Sequence, residues 1–247
     1  MNVADTVIVL PTYNEIENLE RMVGRIRQSV AHIDVLIVDD ASPDGTGEVA
    51  ERLAAHDAGV TVLHRVSKDG LGAAYLAGFS HAIVAGYQVV IEMDADGSHD
   101  PQAIPAMLEL LRHGADLVIG SRWVSGGEVR NWPWMRLVIS RLGNRYSAWV
   151  LGSAIKDLTS GFRVFRAPAL AEVIAGRMSS QGYSFQVETA WRCEIAGAVI
   201  AEHPIIFVER TRGRSKMHIG IVWEALWRVT VWGFTRNVPR RSTGGGR

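Results

Sequence analysis

Val89-Val90-Ile91-Glu92-Met93-Asp94-Ala95-Asp96 is a largely apolar run that ends in two carboxylates one residue apart. Such a run reads as a buried parallel strand, and that strand delivers the residues after it to the crevice at the carboxyl edge of its sheet, where ligands bind. Two hard oxygen ligands placed there suit Mg²⁺ or Mn²⁺ bridging a diphosphate. An isolated Asp-x-Asp is also an ordinary solvated strand end, so its meaning depends on its company.

Working outward, apolar and β-branched runs at 6–10, 35–38, 60–63, 89–93 and 117–119 read as strands. Segments 14–30, 45–56, 71–85 and 101–112 have the length and i, i+3/i+4 spacing of crossover helices. The alternation predicts repeated βαβ units and an α/β domain with a mostly parallel central sheet. Beyond about residue 122 the pattern turns to Gly, Trp and Arg-rich stretches, expected to build an acceptor side and not a second sheet. With no internal repeat and no clear linker, one catalytic domain over 1–218 is expected. An amphipathic helix over 219–241 and a disordered tail over 242–247 follow it.

The chain has 247 residues, 47% of them hydrophobic, enough for a sizeable core. Its single cysteine, Cys193, excludes an internal disulfide and is expected in the core. The first residues show neither a cationic segment nor an unbroken apolar one, so the catalytic face is expected to be cytoplasmic. Net charge is zero but lopsided: residues 210–247 hold nine Lys/Arg against Glu224, which leaves +8 there and −8 on the rest. An acidic body disfavours nucleic acid as a partner, and the basic end points to phosphate or an anionic membrane.

The other strand ends carry matching chemistry. The first strand runs into Pro11-Thr12-Tyr13-Asn14-Glu15 and the second into Asp39-Asp40-Ala41-Ser42-Pro43-Asp44-Gly45-Thr46. Carboxylates there can accept base or ribose donors and Tyr13 can stack, while Asp44-Gly45 also fits an ordinary turn or cap. Gly70-Leu71-Gly72 is only half a dinucleotide fingerprint and comes after the third strand, so its glycines are expected to permit close packing.

Taken in order, Pro11 to Glu15, the Asp-Asp-x-Ser-x-Asp-Gly-Thr turn, Gly70-Leu71-Gly72 and Asp94-Ala95-Asp96 resemble the inverting family-2 glycosyltransferases with a GT-A (Rossmann-like) fold. The segments Asp116 to Arg122, Asp157-Leu158-Thr159-Ser160-Gly161-Phe162-Arg163, Gly182-Tyr183-Ser184-Phe185, Phe207 to Arg210 and Gly213-Arg214-Ser215-Lys216 look like the dolichol-phosphate mannose synthases of that family. The resemblance spans residues 6 to about 218. It implies transfer of mannose from GDP-mannose to a polyprenyl monophosphate, by single displacement with inversion. By motif position it places Pro11, Tyr13, Glu15, Asp40 and Asp44 on the guanosine, with Asp94, Ala95 and Asp96 around the metal and diphosphate. Arg122, Arg136, Ser140, Arg210 and Lys216 would face phosphates, with Arg122, Arg136 and Ser140 on the acceptor. Where many members have Gln two residues after the second Asp, this chain has Ser98, whose hydroxyl can still ligate metal. A polyprenyl-phosphate glucosyl- or N-acetylglucosaminyltransferase using a UDP-sugar, and a silent nucleotide-binding subunit, are the alternatives.

A polyprenyl phosphate lies in a bilayer, and two segments could reach one. Trp132-Pro133-Trp134-Met135, followed by Arg136, Leu137, Val138, Arg141, Leu142, Arg145 and Trp149, mixes aromatics and arginines as interfacial helices do. Segment 219–234 confines Glu224 and Arg228 to a narrow stripe and covers the remainder with Trp and aliphatic residues. It suits a membrane surface, a partner or this protein's own core. These features imply a peripheral protein on the cytoplasmic face of the plasma membrane, with an integral membrane anchoring protein as a further expected partner.

Overall fold

Thr6-Val7-Ile8-Val9-Leu10 opens β1 (Thr6–Thr12), which is buried along its whole length and lies in the interior of the sheet. In this computed structural model, which describes residues 5–176, 178, 183–209 and 219–235, β1 pairs in parallel with β2 (Asp34–Asp39) and β4 (Val89–Glu92). Outside β2 lies β3 (Val60–His64), also parallel. The chain runs outward from β1 to β3 and then crosses back to β4, so β1 and β4 flank the point where strand order reverses. Their carboxyl ends, Thr12-Tyr13 and Asp94, open into one crevice.

Alternation along β1 divides the core into two layers. Ile8 and Leu10 pack with Leu19, Met22 and Ile26 of α1 (Leu19–Ser29), beside α2 (Thr46–His56) and α4 (Ile104–Arg112). Val7 and Val9 face Ala74, Tyr75 and Phe79 of α3 (Leu71–Val84). Helix α3 lies close on the sheet because position 78 is glycine: a Cβ there would collide with Val9 and stand 3.0 Å from Val38 Cγ2. At Gly72 a Cβ would stand 3.1 Å from Phe185, consistent with the packing role expected of the Gly70-Leu71-Gly72 segment.

Two boundaries differ from the sequence expectation. Residues 14–18 are not helical: Asn14 takes a left-handed backbone (φ 57°), and the turn lets Glu15 N–H donate to Thr46 Oγ1 at 2.9 Å. The segment at 101–112 begins with a 3-10 turn, Pro101–Ala103, whose Asp100 side chain accepts the Gln102 N–H.

The second half adds strands to the main sheet that the sequence pattern did not mark and, contrary to expectation, also builds a small second sheet. Strand β5 (Leu117–Ser121) does not pair with β4; β7 (Arg163–Arg166) enters between them antiparallel to both. Strand β8 (Ile200–Pro204) extends the sheet parallel to β5. The segments RVFR and IAEHP are short and polar at several positions, so hydrophobic periodicity did not mark them. A separate parallel ribbon joins β6 (Glu128–Arg130) to β9 (Ile206–Val208).

Helix α5 (Trp134–Leu151) comes after β6, and α6 (Ala167–Ala175) and α7 (Tyr183–Ile195) cover the α3 face. Helix α8 (Ile219–Thr235) packs on α5 and α7: Tyr146 and Thr230 share a 2.6 Å hydrogen bond, Trp232 stacks on Trp191, and Val229 is buried. One α8 face is therefore held by the domain itself, while Trp227 and Phe234 are 70% and 85% exposed. The rest of the 219–241 segment and the 242–247 tail lie outside the described residues. Among the described residues no helix is long and apolar enough to cross a membrane.

Candidate active site

Strand β4 ends at Glu92, and the turn after it sets the two clamp carboxylates. Gly97 adopts φ 80°, which bends the chain so that Ser98 N–H donates to Asp96 Oδ1 at 2.9 Å. The Ser98 hydroxyl is buried and has no hydrogen-bond partner among the described residues. Tyr75 OH donates to Asp94 Oδ1 at 2.8 Å; burial, then the neighbouring Asp94 and Glu92 charges, raise the phenol well above its ordinary pKa. Among the described residues no three or more His, Cys, Asp or Glu side chains form a metal cage.

His99 is enclosed behind the clamp, stacked on Phe162 at 5.2 Å and met edge-on by Phe207 at 5.4 Å. Its Nδ1 lies 3.4 Å from Asp94 N and accepts that N–H, which assigns the ring proton to Nε2. Burial pushes its pKa down to about 4, so it is neutral near pH 7. Beneath the clamp, Glu92 and Arg163 are fully buried 3.8 Å apart, and Gln186 Nε2 donates to Glu92 Oε1. Desolvation pushes Glu92 up to about 8 against the opposing Arg163 charge.

At the β1 and β2 ends, the expected nucleotide residues fall into two groups. Pro11 is buried in β1 opposite Val38, and Ala95 is buried beside the clamp. Tyr13 and Glu15 are partly exposed at the crevice; Lys68 Nζ lies 3.8 Å from the Tyr13 ring centroid, and Glu15 Oε2 accepts from Asn18. Asp44 closes the turn into α2 by accepting Thr46 N–H, Thr46 Oγ1–H and Ile16 N–H. Burial alone would raise its pKa, but these hydrogen bonds outweigh it and hold the carboxyl low. Asp40 forms an ion pair with Arg65; burial raises its pKa in spite of that partner. Arg65 and Lys68 were not singled out from sequence, although their place just after β3 puts them at the same sheet edge.

On the acceptor side, Arg122 comes directly after β5 and is almost wholly buried. It donates from Nε to Asp157 Oδ2 at 2.8 Å, and from Nη2 to Asp157 Oδ1 at 2.7 Å and Thr159 Oγ1 at 2.8 Å. Its Nη1 makes no hydrogen bond among the described residues. The Trp123, Trp132 and Phe207 rings surround its guanidinium at 5.5–5.7 Å. Arg136, in the first turn of α5, is paired with Glu209 and lies 4.2 Å from the Trp132 ring; its Nε is buried without a partner among the described residues. Ser140 stands one turn further on the same helix, partly buried. Arg210 and Lys216 lie outside the described residues.

Three side chains to which the sequence analysis gave no role hold this half together. Asp157 carries Arg122, Asn144 of α5 donates to Lys156 O and takes the Leu158 N–H, and Glu202 accepts the Lys156 and Asp157 N–H groups. Ribbon and clamp are tied as well, since Val208 N–H donates to Ser98 O, while the bond from Glu209 N–H to Arg130 O continues the pairing within the ribbon. Asp157 opens the Asp157 to Arg163 motif; its acidity in an otherwise buried stretch was the available signal.

Residues 7–174 match the family model described as glycosyl transferase family 2. The chain is 48% identical over 236 residues to the polyprenol monophosphomannose synthase of Mycolicibacterium smegmatis, covering 95% of this chain and 89% of that protein. It is 52% identical over 225 residues to the undecaprenyl-phosphate mannosyltransferase of Micrococcus luteus, covering 91% and 92%. Among solved structures, a Pyrobaculum calidifontis mannosyltransferase in complex with GDP-Man and Mn²⁺ is similar with TM-score 0.62 and 19% identity, over 94% of this chain and 63% of that one. Glucosyl-3-phosphoglycerate synthase from Mycobacterium tuberculosis gives TM-score 0.65 at 18% identity, over 92% and 79%. At those identities the structural likeness speaks for the fold alone.

Proposed function

The chain belongs to glycosyl transferase family 2, and from that membership we propose that it transfers mannose from GDP-mannose to the phosphate of a polyprenyl monophosphate. The observation that carries the choice of substrates is near-full-length identity of about one half to two proteins named for mannose and polyprenyl phosphate. The product would be a polyprenyl phosphate mannose, a donor for lipoglycan or glycoprotein mannosylation.

The donor end of the crevice suits a nucleotide diphosphate sugar. Tyr13, Glu15 and Asp40 line the β1 and β2 ends, with Pro11 setting the strand exit and Asp44 shaping the loop. Asp94, Asp96 and the orphaned Ser98 hydroxyl supply oxygen ligands for Mg²⁺ or Mn²⁺, which would take further ligands from diphosphate and water. When bound, such an ion neutralises charge on the departing diphosphate.

The acceptor brings its own nucleophile. A phosphate monoester has a second pKa of about 6, so near neutral pH much of it is a dianion that needs little help from a base. What the chain must supply is positive charge to overcome repulsion between two phosphate-bearing substrates. Arg122 Nη1 and Arg136 answer that need, with Ser140 as a hydroxyl donor; Arg210 and Lys216 are proposed to add to it. Attack by a phosphate oxygen on the anomeric carbon opposite the leaving GDP gives inversion in one step.

Helix α5 supports a membrane-facing role. Trp134, Leu142 and Trp149 are 72%, 60% and 78% exposed, with Met135, Val138 and Ile139 exposed beside them and Arg141 and Arg145 along the same helix. Aromatics mixed with arginines suit the headgroup layer of an anionic bilayer, where the acceptor phosphate resides. The exposed Trp227 and Phe234 of α8 add apolar surface, which supports a peripheral position on a membrane; the cytoplasmic leaflet is part of the proposal. An integral membrane anchor, engaged through the same exposed helices, is part of the proposal.

The test incubates the protein with Mg²⁺ or Mn²⁺, a polyprenyl monophosphate and labelled GDP-mannose, UDP-glucose or UDP-GlcNAc in parallel, tracking lipid-extractable label. Label from GDP-mannose alone, lost with EDTA and in Asp96→Ala, is the expected result. Label from a UDP-sugar would replace the donor, and no label from any donor would favour a silent subunit.

A further inference from the structure

We propose that Tyr75 is a positioning residue for the metal clamp, fixing the Asp94 carboxylate in the orientation that receives the divalent ion. The inference rests on the reading of Asp94 and Asp96 as the metal-binding pair.

Tyr75 lies one turn into α3, and its ring is fully buried in a three-ring cluster with Phe79 and Phe185, which themselves lie 6.3 Å apart. Phe79 stacks at 5.5 Å and 29°, and Phe185 of α7 lies parallel at 6.2 Å. Phe79 in turn meets Phe165 of β7 edge-on at 5.9 Å. Gly72, one turn earlier, leaves just enough space for Phe185 to approach the backbone. The phenol therefore projects from an aromatic block built by three elements, with little freedom to swing.

From that block the hydroxyl reaches the partly exposed carboxylate of Asp94, with 2.8 Å between Tyr75 oxygen and Oδ1. A carboxylate has about four lone-pair sites, and the hydrogen bond from Tyr75 occupies one of them while restricting rotation about the terminal torsion. Metal-binding carboxylates are commonly held by such outer partners, whose loss costs roughly 10–100-fold in affinity. Asp96 has its own support from the Ser98 N–H at 2.9 Å, so each clamp carboxylate is oriented by a different element.

If the hydroxyl merely satisfied itself in the core, its removal would alter stability and leave metal affinity alone. The two roles separate in Tyr75→Phe, which keeps the ring and its stacking. Mn²⁺ binding is measured by the loss of free-ion paramagnetic resonance signal at saturating GDP, beside thermal melts of the metal-free protein. We expect the Mn²⁺ Kd of Tyr75→Phe to rise about 10–100-fold, with the metal-free melt near wild type and transfer activity recovered by raising Mn²⁺. An unchanged Kd in Tyr75→Phe, with Asp96→Ala binding poorly, would overturn the role of Tyr75 and leave the clamp standing. Wild-type Mn²⁺ affinity in Asp96→Ala would overturn the clamp itself, and the proposal with it. Should Tyr75→Phe melt early, Phe185→Leu serves as the second variant: it loosens the block without removing the hydroxyl. It is expected to weaken Mn²⁺ by a smaller factor, and unchanged affinity there would also count against the proposal.

Discussion

Arg122 and Asp157 form a buried two-pronged ion pair, Nε to Oδ2 at 2.8 Å and Nη2 to Oδ1 at 2.7 Å, so much of the arginine fork is committed within the protein. The pair joins the end of β5 to the loop that precedes β7, and Asn144 ties the same loop to α5. Removing the carboxylate would strand a buried cation. Asp157→Ala is expected to cost about 3–5 kcal/mol of stability, measured by urea unfolding. A cost under about 1 kcal/mol, the scale of exposed pairs, would show that the site is solvated.

Arg136 is held differently, at a surface-accessible pair with Glu209 and against Trp132. A planar fork matches a phosphate bidentately, which a lysine ammonium cannot do. Arg136→Lys should therefore lower kcat/KM for polyprenyl phosphate by at least about tenfold, or about 1.4 kcal/mol, although charge is kept. Transfer at the wild-type rate would remove Arg136 from the acceptor site.

The exposed α5 residues predict vesicle binding. Trp134→Ser combined with Trp149→Ser should weaken partition onto anionic vesicles about tenfold or more while leaving the melting temperature unchanged, because neither ring is buried. Binding should also fall with added salt through Arg141 and Arg145. Equal sedimentation of variant and wild type with the vesicles would contradict this.

His99 gives a pH signature. Its folded pKa of about 4 lies below the ordinary 6.5, so the folded state binds fewer protons than the unfolded chain between those values. Stability from the neutral ring is fully present above about pH 6.5 and is lost as pH falls towards 4, up to about 3 kcal/mol. Between pH 7 and 4.5, wild type should lose about 2–3 kcal/mol more than His99→Gln, which cannot titrate. Parallel losses in chemical denaturation would refute the assignment.

Legibility of the fold tracked hydrophobic pattern and length. Strands β1 to β5 stood out because apolar, β-branched runs were separated by periodic helices, and the sheet edge they define carries the clamp. Strand β7 escaped notice because Arg163-Val164-Phe165-Arg166 owes its place to a buried Glu92 partner and to pairing on both sides, neither of which is local. The site was legible as a set of residue types at strand ends. Partners remote in sequence were not: Tyr75 to Asp94 spans 19 positions, Arg122 to Asp157 spans 35, and Arg136 to Glu209 spans 73. For the same reason Asp44 read equally as a nucleotide contact and as an ordinary turn or cap, and its hydrogen bonds to Thr46 and Ile16 build the turn that leads into α2.

If the acceptor phosphate itself displaces GDP from mannose at the Asp94–Asp96 crevice, the configuration of the product records it. Nuclear magnetic resonance of the mannolipid made from α-configured GDP-mannose, read through the one-bond carbon–hydrogen coupling at the anomeric centre, should show a β-linked mannosyl phosphate. An α-linked product would mean two displacements through a covalent mannosyl-enzyme and would rule out direct attack by the phosphate.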